Sequence, residues 1–172
     1  MQPVSCKIVL VDYDPQWPEL FRREAARIHS LLGEQAIQLE HTGSTAVPGL
    51  AAKPIIDMLL VVADSADETT YMPLLERAGY RLSLREPDWY EHRLLKGPDS
   101  EINLHVLSAG CPEIARILLF RDWLRRNAAD RDRYSRAKLA LAQKEWSSVD
   151  EYAHAKSAIV KEILERAMRA ES

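Results

Sequence analysis

Ile55 to Val62 (IIDMLLVV) is an apolar, β-rich run broken by one acid, Asp57. Such a run predicts a central strand covered on both faces, since an edge strand would alternate apolar with polar residues. A carboxylate inside it is costly unless a cation or hydrogen bonds offset its desolvation. The stretch just before, His41-Thr42-Gly43-Ser44-Thr45 and on to Lys53, is rich in small and hydroxyl residues. It predicts an ordered loop or a very short helix whose backbone can approach a ligand closely. Residues 37–62 therefore organise the chain.

On either side of this stretch the periodicity changes. Residues 6–12 predict a short strand or an extended segment over the core. A turn at 13–18 leads into a helix ending at Leu32, with Gly33 as its cap. Ile37–His41 alternates as a strand, and residues 64–79 predict a helix. Tyr80–Leu84, His92–Lys96 and Ile102–Leu107 predict strands, the last two as a hairpin. Three helices then run over about 112–126, 130–145 and 150–169. The expectation is one α+β domain over 1–172, with a mixed sheet of about five strands flanked by helices and a helical C-terminal portion.

Composition excludes several functions. A net charge of −3 over 172 residues gives no electrostatic case for a nucleic-acid partner or an anionic membrane. No apolar run approaches the roughly 20 residues that cross a bilayer, and the N-terminus lacks a signal-peptide pattern. Cys6 and Cys111 are too few and too far apart for a disulfide scaffold or a CxxC metal knuckle. A cytoplasmic location is expected.

The chemistry-bearing residues cluster around the central strand. Nucleotidyltransferases related to DNA polymerase beta use a Gly-Ser pair at a helix start to hold a triphosphate. A strand about a dozen residues on carries acids in a D-h-D or D-h-E pattern to bind magnesium. Backbone amides and a hydroxyl cradle phosphate, while carboxylates hold the cations that clamp the attacking and leaving oxygens. Here Asp57 lies thirteen residues after Ser44, which fits, but position 59 is Leu. The third-acid position is offered by Asn103 and His105 on one strand face, neither an acid. His105 can serve as metal ligand, general base or partner of Asp57. Convergence of His41, Asp57 and His105 would instead resemble a transition-metal site. Lys53 and Arg93 are candidates to meet phosphate. A purely structural alternative is a tight loop under the sheet, with Asp57 satisfied by Lys53 or an arginine.

The string HTGSTAVPGLAAKPIIDMLLVV resembles the signature of the GrpB family, a set of small bacterial proteins of poorly defined function. YDPQWP, EHRLLKG with INLHVL, LLFRDWLRRN with YSRAK, and HAKSAIVKEI resemble further parts of that family, so the likeness covers nearly the whole chain. The resemblance implies a nucleotidyltransferase-like fold with a nucleotide-sized cleft, and a similar domain is found fused to dephospho-CoA kinase. The family's recurrent polar positions match His41, Gly43, Ser44, Thr45, Lys53, Asp57, His92, Arg93, His105, Arg121 and Asp122.

Two functions are weighed. In the first, a nucleoside triphosphate with Mg²⁺ gives up a nucleotidyl group to a small-molecule acceptor. Asp57, His105 and Lys53 are catalytic, with Asp57 and His105 as metal ligands. Gly43, Ser44, Thr45, Lys53 and Arg93 bind phosphate, and His41, His92, Asn103 and Arg121 complete the pocket. In the second, the same pocket is a non-catalytic module for a nucleotide or CoA-related ligand, its metal site eroded.

Overall fold

The apolar run does become a central strand, because both of its faces find cover. In the computed structural model, which describes residues 5–99 and 101–172, five strands form one mixed sheet. They are β1 (Gln38–Thr42), β2 (Ile56–Val62), β3 (Arg81–Glu86), β4 (His92–Lys96) and β5 (Ile102–Ser108), in the order β1-β2-β5-β4-β3. β2 pairs antiparallel with β1 and parallel with β5, while β4 pairs antiparallel with both β5 and β3.

Period-two alternation divides the side chains between two layers. Ile56, Met58, Leu60 and Val62 face one side with Ile102, Leu104, Val106 and Leu95, and meet helices α1 (Trp17–Leu32) and α2 (Met72–Arg77). Leu59, Val61 and Leu107 face the other side, packed on Ile114, Ile117 and Leu118 of α3 (Pro112–Arg126). Met58, Leu59 and Leu60 are fully buried, each contributing roughly 1.5–3 kcal/mol over exposure. Asp57 shares the second face with Asn103 and His105, at the strand ends where α3 leaves the sheet uncovered.

Two further helices, α4 (Ala128–Ala142) and α5 (Val149–Glu171), close over that open end. Val47 and Leu50 from the 43–53 loop pack against Leu124, Tyr134 and Ile163, one from each of the three C-terminal helices. Asp130 ties those helices together, accepting from the Trp123 indole at 2.7 Å and from Arg166 at 2.5 and 3.1 Å. The loop and the helices therefore have one fixed relation, which sets the chemistry described below.

Residues 6–12 make only isolated bridges, Cys6 to Trp146 and Val11 to Ala52, so of the two forms expected the segment takes the extended one over the core. One expectation is corrected. The helix expected over 64–79 shortens to Met72–Arg77. Pro73 lacks the N–H that a longer helix would need there, so Glu68–Thr70 forms a separate 3₁₀ turn. No helix among the described residues is long and apolar enough to cross a membrane.

Candidate functional site

Where β1 hands over to the loop, Gly43 adopts φ 69° and ψ −172°, a region essentially reserved for glycine. A Cβ there would lie 2.6 Å from Asp57 Oδ2. The backbone thus presses directly against the carboxylate, and Ser44–Ala46 follows as a single 3₁₀ turn. Thr45 is spent on the loop itself: its hydroxyl donates to the Ile55 carbonyl at 3.1 Å and lies 3.0 Å from His41 Nε2.

Opposite this turn, α4 and α5 each present a tyrosine and a lysine one helical turn apart. Lys138 sits 5.0 Å from the Tyr134 ring, and Lys156 sits 4.7 Å from Tyr152. Lys53, from the loop, lies 5.6 Å from the centre of the same Tyr152 ring. Lys138 is only 2% exposed, and it donates to Ser44 Oγ at 2.9 Å and to the Ala51 carbonyl at 2.6 Å. Burial, then the neighbouring Lys156 and Lys53, push its ammonium down to about 7. Burial and Lys53 bring Lys156 down to about 8, with Asp57 acting the other way. The buried Tyr152 hydroxyl has no hydrogen-bond partner among the described residues. A hydroxyl so placed ordinarily has one, so it is a donor available to a bound group.

These groups line one cleft of about 490 Å³, together with Thr42, Trp89, Asn103, Glu113 and Ile117, a size suited to a small-molecule ligand. Three lysines face two carboxylates, Asp57 and Glu113, and Glu113 has Arg116 at 3.7 Å. The loop end of the cleft therefore carries surplus positive charge, which favours an anion.

Across the sheet a chain of side chains leads away from Asp57. His105 Nε2 is 3.4 Å from Asp57 Oδ1, His105 Nδ1 is 3.0 Å from His92 Nε2, and His92 Nδ1 is 2.9 Å from Glu86 Oε1. Burial and the adjacent His105 lower the His92 pKa, favouring its neutral form. A neutral His92 carries one N–H: with its Nδ1 donating to Glu86, its Nε2 accepts from His105 Nδ1, and His105 Nε2 is turned to the Asp57 carboxylate.

The structure separates residues that the sequence grouped. Asp57, His105, Asn103, Lys53, Gly43 and Ser44 do line one cleft, with Asn103 accepting from Lys96 at 2.5 Å. His92 stands behind His105. Arg93 is corrected as a phosphate ligand: strand alternation turns it to the opposite face, where it is 5% exposed and bound to Glu68 and Glu91. His41 is likewise on the far face, stacked on Phe21 at 5.0 Å, so His41, Asp57 and His105 do not converge. Arg121 holds Glu40 at 2.6 Å and the His41 carbonyl at 3.0 Å, in a separate small cavity, and fastens α3 to β1. Among the described residues no three His, Cys, Asp or Glu side chains are grouped to hold a metal ion; Asp57 and His105 stand as a pair.

Lys138, Lys156, Tyr152, Trp89 and Glu113 were not singled out from the sequence. The repeated Tyr-x-x-x-Lys pattern in α4 and α5 was the available signal, although it gives no hint that the two helices meet over the loop.

His41 carries a pH prediction. Burial and then Arg125 hold its pKa down to about 4, against about 6.5 unfolded. The unfolded chain therefore takes the proton first, and stability present above pH 6.5 is lost as pH falls toward 4. Urea unfolding should show the wild type losing about 2 kcal/mol from this group between pH 7 and 5. His41→Gln should lack that component; an identical pH profile in the variant would remove His41 as its source.

A family model described as GrpB protein matches residues 7–166. The chain belongs to the GrpB family. A UPF0157 protein of Halalkalibacterium halodurans is 64% identical over 97% of this chain and 86% of its own. The crystal structure of the conserved protein GrpB from Enterococcus faecalis superposes with a TM-score of 0.82 at 34% identity, covering 95% of this chain and 99% of that one. Cid1, whose structure is described in terms of RNA terminal uridylyl transferase activity, gives 0.55 at 10% identity over 74% of this chain and 40% of Cid1. That likeness establishes a nucleotidyltransferase-like fold for this GrpB-family chain. A dephospho-CoA kinase of Mycolicibacterium paratuberculosis is 29% identical over 96% of this chain and 47% of the kinase.

Proposed function

We propose that the cleft binds a nucleoside triphosphate through its polyphosphate and transfers a nucleotidyl group to a small acceptor. The observation that carries this reading is the trio Lys53, Lys138 and Lys156 facing the Gly43-Ser44 turn and Asp57. Lysines supply point charges to phosphate, and the Ser44 hydroxyl is held in place by Lys138. Of the cleft's two carboxylates, Asp57 is the one against the Gly43-Ser44 turn, where it would hold a Mg²⁺ shared with the phosphates. Such an ion would neutralise phosphate charge. His105 is aligned by His92 and Glu86 with its outer nitrogen toward the cleft, where it takes the acceptor's proton as the acceptor oxygen attacks the α-phosphorus and pyrophosphate leaves.

A second reading, binding without transfer, is favoured by Leu59 and Asn103, which stand where the second and third acids would be. The two readings differ in product. Incubating the protein with Mg²⁺, each triphosphate and a metabolite pool should release pyrophosphate, with Asp57→Ala and His105→Ala at least about 100-fold slower. Tight binding with no pyrophosphate would leave the module reading in its place.

A further inference from the structure

Trp89 stands apart from the cationic end of the cleft. It lies in the turn between β3 and β4, lines the cleft and is 40% exposed. Trp89 packs on His92, and His92 lies beyond His105 from Asp57, so the ring stands away from the Asp57 end. The cleft thus has lysines at one end and a flat apolar ring toward the other, with Asp57 and His105 between.

The turn that presents the ring is held firmly. Tyr90 and Glu91 have φ of 55° and 51°, a region that side-chain-bearing residues seldom adopt and keep only where their surroundings enforce it. Here the enforcement is visible: the Glu91 carbonyl accepts from Ser65 Oγ at 2.8 Å and from Arg93 Nη1 at 3.0 Å, both donors buried. The Trp89 ring then rests edge-on against His92 at 5.2 Å, the residue that aligns His105. A ring fixed this way and left open to solvent loses little freedom when another ring covers it.

We propose that Trp89 is the stacking platform for the base of the bound nucleotide, an inference that rests on the nucleotide reading above. A heterocyclic base laid on the indole places its phosphates toward the lysines, with the reacting phosphate passing Asp57 and His105. Stacking accepts every base because each has a π face, so this wall selects nucleotides over bare polyphosphate without choosing among bases.

The test compares Mg-ATP with Mg-tripolyphosphate, which has the charge without the base, on the wild type, Trp89→Ala and Trp89→Phe. Calorimetry gives affinities, and near-ultraviolet circular dichroism with thermal melts confirms that the variants fold. Trp89→Ala should weaken ATP roughly 5- to 150-fold and leave tripolyphosphate unchanged, while Trp89→Phe keeps most of the ATP affinity. Equal ATP affinity in the wild type and Trp89→Ala overturns the platform and leaves the nucleotide pocket standing. Equal wild-type affinity for ATP and tripolyphosphate overturns the platform and leaves an anion site. No binding of either by the wild type overturns both.

Discussion

Gly43→Ala is expected to destabilise the protein by about 2–5 kcal/mol, from a backbone region closed to alanine and from overpacking. Two causes act at one atom. The φ of 69° with ψ near 180° excludes a Cβ on conformational grounds, and the built Cβ would lie 2.6 Å from Asp57 Oδ2 and 3.1 Å from Asp57 Cβ. The carboxylate can turn into the cleft, but the Asp57 Cβ is fixed by β2, where Thr42 pairs directly across from it. For a chain of this length the melting temperature should fall by on the order of 10 °C. The double variant Gly43→Ala/Asp57→Ala separates the causes. Removing the carboxylate relieves the closest contact while leaving the backbone penalty, so its loss should fall short of the sum of the singles by about 1–2 kcal/mol. A Gly43→Ala protein within about 0.5 kcal/mol of wild type, the range of an ordinary surface change, would show that the loop yields easily and does not fix Asp57.

The physical reasons for that rigidity were partly legible in the sequence. An apolar run with one acid predicted a doubly covered strand, and alternation placed Asp57, Asn103 and His105 on shared faces. Period two is a local property, and β2 and β5 pair in the register that preserves it. The same alternation places Arg93 opposite Val106, away from His105, once β4 is paired; strand pairing, not residue type, decides which cations face the cleft. Lys138 is not legible for a different reason. Within α4 it reads as one more surface lysine, and only the docking of three helices over the 43–53 loop buries it against Ser44. Long-range packing of that kind leaves no periodic trace. His41 was misplaced by sequence proximity to Gly43, although one strand step sends it to the α1 side beside Phe21.

Lys138→Met is expected to weaken binding of Mg-ATP by roughly 10- to 150-fold, the worth of a hydrogen bond to a charged group. The ammonium has three donors, and Ser44 Oγ and the Ala51 carbonyl take two of them, leaving one for phosphate. Its pKa of about 7 in the free protein adds a feature that a surface lysine would lack. A polyphosphate beside it favours the charged form, so the bound-state pKa is higher and binding takes up a proton. Affinity should therefore be fully present below pH 7 and decline as pH rises above it, by up to about tenfold per unit until the bound-state pKa is reached. The heat of binding should vary with the ionisation enthalpy of the buffer. Lys156, at about 8, contributes in the same direction, so the Lys138→Met variant should keep a smaller and later decline.

The most direct test is calorimetric titration of ATP, with and without Mg²⁺, into the wild type, Asp57→Ala and Lys138→Met at pH 7.5. A nucleotide cleft built on these lysines predicts binding by the wild type that strengthens with Mg²⁺. In Asp57→Ala the Mg²⁺ dependence should disappear, and in Lys138→Met the affinity itself should fall. No heat with the wild type, or the same affinity in all three proteins whether or not Mg²⁺ is present, would contradict it.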